Sequence, residues 1–180
     1  MRKRKRRVVL AAFLAGGVML LIVGGTAFIT FGQEEQPKVP EIPGITVEDA
    51  KPQGCVDCHR KVSPERDYRL TVHAEEWTKE VPSELLKKAQ AAAPPGVTMK
   101  GKHPEIGAVI TTIPKDCLTC HSEQTAKTIG APPFVRLLHL IHLVGGEENH
   151  FVTNYQGQCT HCHSLNKATG EWTIKSGKEQ

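Results

Sequence analysis

Hydrophobic and polar residues are distributed very unevenly along this chain. From Val8 to Phe31, 24 consecutive residues carry no charge. That is enough for a helix across a hydrocarbon layer of about 30 Å, which takes about 20 residues. Beyond Phe31 no comparable run occurs. Between Gln33 and Gly54, Pro37, Pro40, Pro43 and Pro52 interrupt any regular pattern, with acids and lysines between them, as in a solvated tether. Two stretches further on have helical periodicity. Pro82 and Ser83 open an amphipathic segment through Gln90 that ends before Pro94-Pro95-Gly96, and Pro132-Pro133 and Gly145-Gly146 bracket a second from 132 to 143. Gly107–Ile113 and Glu171–Ile174, the latter after a Lys167–Gly170 turn, read as brief strands.

The organisation expected from this pattern is a basic N-terminal arm (1–7), a membrane-spanning helix (8–31), a Pro-rich tether (32–53) and one domain (54–180). A cleaved signal peptide is the competing reading of the apolar run, but its hydrophobic stretch would be about 7–15 residues long. Charge changes the picture. Residues 2–7 hold six of the 23 basic residues, and every acid lies beyond Gly32. The rest of the chain thus has 17 basic against 19 acidic residues, and nothing in it suits a nucleic-acid partner. The six cations should remain on the cytoplasmic side, which directs all that follows Phe31 outward. The expected location is therefore the cytoplasmic membrane, single-pass, with the domain in the periplasm or at the cell exterior.

Aromatic residues are only 5% of the chain, too little for a conventional core in a domain of this size. The cysteines suggest what fills it. All six fall into Cys55-Val56-Asp57-Cys58-His59, Cys117-Leu118-Thr119-Cys120-His121 and Cys159-Thr160-His161-Cys162-His163. Two thiols spaced in this way can add to the two vinyl groups of one porphyrin, and the histidine that follows reaches its iron. A zinc site or a redox disulfide also uses Cys-x-x-Cys but does not require the adjoining histidine. Histidine fills 9 of 180 positions, so three such coincidences have a chance of roughly one in 8,000 from composition alone. Three haem c groups are the expected cofactors, with Cys55, Cys58, Cys117, Cys120, Cys159 and Cys162 attaching them and His59, His121 and His163 as the first axial ligands.

In these motifs and the surrounding histidines, from Cys55 to His163, the chain resembles small membrane-anchored multihaem c-type cytochromes, including class III and related bis-histidine proteins. The resemblance implies haem attached outside the cytoplasmic membrane, and the expected fold is mostly α and irregular, dictated by the haems, behind a single N-terminal transmembrane helix. Second ligands are then needed. His139 and His142, three apart in the 132–143 segment, share one helix face, and a His-x-x-His pair upstream of a haem motif resembles the class III arrangement in which both are distal ligands. His73 and His103 compete for the third iron, and either could serve a neighbouring copy of the chain. His150 sits in a polar segment and reads as solvated, and His161, inside the third motif, as a bystander. Met99 is the one methionine outside the N-terminal arm and apolar run, so bis-histidine ligation and low potentials are expected.

The function this implies is electron relay between a membrane donor and an extracytoplasmic acceptor, without an enzymatic site of its own. Redox partner proteins would be other cytochromes or a membrane quinol-oxidising complex, and self-association is a further expectation. Three motifs rather than four, and no methionine near the first, separate the chain from tetrahaem quinol dehydrogenases. The alternatives are a haem reductase with one open iron and the protomer of a conductive filament.

Overall fold

The computed structural model describes residues 37–180, and residues 39–180 make one unit. The expected spanning helix at 8–31 lies outside the described residues, among which no helix is long and apolar enough to cross a membrane.

The expectation of a mostly α and irregular fold needs correction, because the unit is a mixed α/β domain. Among the described residues seven short helices alternate with two antiparallel hairpins. The helices are α1 (Cys55–Cys58), α2 (Leu70–Trp77), α3 (Ser83–Ala92), α4 (Leu118–His121), α5 (Glu123–Ile129), α6 (Phe134–Leu143) and α7 (His150–Tyr155). Strands β1 (Lys61–Ser63) and β2 (Arg66–Asp67) form the first hairpin, and β3 (His163–Asn166) and β4 (Glu171–Ile174) the second.

The sheet content follows from local turn chemistry. Asn166 Oδ1 accepts from the Ala168 and Thr169 amides at 3.0 and 3.4 Å, and Gly170 adopts φ 73°, so the chain folds back on the strand that leaves the third motif. The resulting register pairs His163 with Ile174 and Asn166 with Glu171. By contrast, the strand expected at Gly107–Ile113 does not form. Gly107 has φ 57° and opens a 3₁₀ turn, Gly107–Val109, and only Ile113 pairs, in an isolated bridge with Gly177.

Apolar packing is thin. Ala89 and Ala92 of α3 and Leu137 of α6 form a small buried cluster, against which Met99, Phe134, Leu140 and Ile141 pack. Among the described residues the largest fully buried side chains are Ile113 and Pro114. Polar ties carry much of the rest. Asn149, itself buried, donates to the Ile141 and Val144 carbonyls at the end of α6 and accepts from the Phe151 amide at the start of α7, so one amide closes one helix and opens the next.

Candidate metal-coordinating histidine pairs

The three motifs adopt related local structures. The first is α1, the second ends in α4, and the third begins as a 3₁₀ turn, Cys159–His161, before His163 enters β3. Each His amide or its neighbour is held by a bond back into its own motif, such as His59 N–H to the Cys55 carbonyl at 2.8 Å and His121 N–H to the Cys117 carbonyl at 3.0 Å.

Each motif histidine faces a histidine from outside the motifs. The ring centres of His59 and His142 lie 6.2 Å apart, those of His121 and His103 6.0 Å, and those of His163 and His139 6.2 Å. Rings in face contact would sit nearer 4 Å, as His121 does with Phe134 at 4.3 Å. An imidazole nitrogen binds a metal at about 2 Å and lies about 1.1 Å from its own ring centre, so two imidazoles on opposite sides of one ion have centres roughly 6 Å apart. The three pairs have that spacing.

The proton positions agree with it. The Nδ1 atoms of His59, His121, His142 and His103 bond to the carbonyl oxygens of Tyr68 (3.3 Å), Pro132 (2.7 Å), Leu138 (2.9 Å) and Pro104 (2.7 Å). A carbonyl only accepts, so Nδ1 carries the proton and Nε2 keeps its lone pair, the tautomer of a ligating histidine. Burial lowers the pKa of His59, His121, His142 and His163, which keeps these imidazoles neutral and able to donate to a metal.

His73 and His103 separate clearly. His103 faces His121, and its amide donates to the Trp77 carbonyl at 2.8 Å. His73 lies parallel to the Trp77 ring, with centres 5.9 Å apart, and its Nδ1 contacts Glu76 at 3.2 Å. His161 packs edge-on against Phe151 and Tyr155, its Nδ1 buried without a hydrogen bond. His150 is exposed, and Met99 is part of the apolar cluster beside α3.

Burial, with the neighbouring Cys162 thiol, pushes Cys55 up to about 12, and burial pushes Cys117 up to about 11. Among the described residues no three His, Cys, Asp or Glu side chains converge as a metal-binding group; the histidines meet in pairs.

Two features of this region have no clear signal in sequence. Phe134 stacks on His121 from the first residue of α6, so the helix that supplies His139 and His142 also packs on the second motif. Lys175 Nζ, with its side chain 3% exposed, reaches Asp49 Oδ2 at 2.6 Å and the Lys51 and Thr160 carbonyls at 2.8 and 2.5 Å. Comparison with known protein-family models, with characterised proteins and with solved structures finds no match to this chain.

Proposed function

We propose that the chain is an electron carrier holding three covalently attached c-type haems, each with two histidines as axial ligands. The observation that carries this reading is the set of three His–His pairs, each joining one Cys-x-x-Cys-His histidine to one from elsewhere. His59 would pair with His142, His121 with His103 and His163 with His139. Cys55 and Cys58, Cys117 and Cys120, and Cys159 and Cys162 would attach the porphyrins. The likeness of these motifs to small bis-histidine multihaem cytochromes supports the same reading.

When bound, each haem supplies a one-electron iron centre; the chain positions it. Backbone carbonyls at Tyr68, Pro132, Leu138 and Pro104 hold the ring tautomers. Helix α6 carries His139 and His142 three positions apart and would supply one ligand each to the third and first centres. Phe134 at the start of the same helix contacts His121 and links the second centre to it. Two histidines per iron would fill the axial positions and leave none for a substrate, as a carrier requires. Location on the outer face of the cytoplasmic membrane belongs to the proposal, supported by the cationic residues 2–7 and the charge-free run 8–31. Its partners there would be other redox proteins.

Expression in a host that attaches haem to Cys-x-x-Cys-His motifs tests this. The expected product has three haem adducts by mass spectrometry, a low-spin spectrum in both oxidation states, and no stoichiometric carbon monoxide shift on reduction. A haem-free, zinc-loaded protein would overturn the reading, and rapid carbon monoxide binding at one iron would replace it with an enzyme.

A further inference from the structure

We propose that the buried Lys175–Asp49 couple sets the potential of the third haem centre and holds it above what its ligands alone would give. The inference rests on the haem reading above and assigns a tuning role to two residues outside the motifs and ligand pairs. Lysine is almost never fully buried unless paired, and here the Lys175 ammonium is buried with each of its three protons matched: Asp49 carboxylate, Lys51 carbonyl and Thr160 carbonyl. Thr160 lies inside the third motif, and the Lys175 amide donates to the Cys162 carbonyl at 2.9 Å. Both ends of the residue are thus fastened to one attachment site.

The couple is neutral in sum but asymmetric in space. The ammonium end faces the motif, and its field reaches Cys162 and His163. The carboxylate end also reaches the motif, at His161, but its side chain is 27% exposed, so water screens its field more than that of the enclosed ammonium. Burial acts to raise the Asp49 pKa, but the bonds from Lys175 and the Lys51 amide outweigh it and hold the carboxyl ionised. A dipole with its positive end at the third motif stabilises the added electron when that iron is reduced.

The test separates charge from scaffolding by sign. Lys175→Met and Asp49→Asn are prepared as three-haem proteins, with the count checked by mass spectrometry, and the haem-methyl NMR signals are followed through a reductive titration. The third-haem set is identified by its contacts to Trp172, whose ring lies 6.4 Å from that of His163. The expected result is a fall in the third midpoint in Lys175→Met and a rise in Asp49→Asn, with the other two midpoints shifted much less. Shifts of the same sign, equal shifts at all three haems, or no shift would overturn the tuning role. If Lys175→Met does not accumulate, Asp49→Asn decides alone: a third midpoint that stays or falls refutes the proposal. Failure of the adduct count in the unaltered chain would refute the haem reading instead.

Discussion

Helix α6 and the tail that follows β4 serve the same three motifs by opposite means. Helix α6 works through side chains: His139 and His142 reach two motif histidines, and Phe134 stacks on the third. The tail works largely through backbone and charge. Lys175 bonds to Cys162 and Thr160 of the third motif, Gly177 pairs with Ile113 just ahead of the second and packs on Val56 of the first, and Glu179 caps α2. A domain with so thin an apolar core needs both, because paired histidines orient the motifs but do not hold them at fixed separations. If that division is right, damage to the tail should be felt throughout the domain, and damage to α6 at one centre.

The largest effect is expected from ending the chain after Ile174. That removes a fully matched buried ammonium, whose loss from a pair costs about 3–5 kcal/mol, a helix cap of ~0.5–2 kcal/mol, and the two Ile113–Gly177 hydrogen bonds at about 0.5–1.5 kcal/mol each. The sum rivals the whole stability of a small domain, about 5–15 kcal/mol. Three-haem protein should fail to accumulate, and accumulation at the normal level with an unchanged melting temperature would show the tail to be dispensable.

A single methyl group sharpens the same point. A Cβ at Gly177 would lie 2.5 Å from Val56 Cγ2 and 2.9 Å from Gln53 Cβ, too close for either side to absorb without moving the first motif. Gly177→Ala should cost about 1–3 kcal/mol, read as a lower melting temperature with three haems still attached. Gly177 has no left-handed φ, so its cost is collision alone, whereas Gly170→Ala, with φ 73° and no atom within 4 Å of the added carbon, would carry backbone strain alone.

The two regions also differ in how far they could be read from the chain itself. Helix α6 was legible because its information is local: Pro133, two histidines three apart and a glycine pair lie within 14 residues. The motifs are local in the same sense. Helix α2 was not, and the reason is physical. Its N-cap is Arg69, whose side chain makes no capping bond, and the acceptor for the Leu70 and Thr71 amides is Glu179, more than 100 residues away. The choice between His73 and His103 was equally hidden. Both are plausible by spacing, and what separates them is that α2 turns His73 onto Trp77 while the Trp77 carbonyl holds the His103 amide beside His121. Lys175 gave no signal either, since a lysine after a strand reads as solvated until Asp49 is brought to it.

On the α6 side the expected damage is confined to one centre. His142→Ala leaves His59 without its partner ring and should open one iron of three to carbon monoxide, seen as a shift of about a third of the haem absorbance on reduction. His139→Ala should do the same at a different centre, with additive effects in the double variant, since the two pairs share a helix but no ring. A loss of all three low-spin signals from either single change would mean that α6, like the tail, holds the domain together.

The smallest effect is expected at His73, and it is the most discriminating because His103 offers the matched control. His73 contacts Trp77 and Glu76 on its own helix, and its contact with the largely exposed Glu76 adds little in water. His73→Ala should leave the low-spin spectrum, the three midpoints and carbon monoxide binding as they are. His103→Ala removes the ring 6.0 Å from His121 and should open the second centre alone, with the first and third unchanged. The reverse outcome, an open iron in His73→Ala and none in His103→Ala, would mean that the loaded protein reorganises around α2, exchanging the Trp77 stack for a metal bond. The two ligand sets would then differ by the position of one short helix whose cap is a residue of the tail, and the tail would govern ligation as well as support.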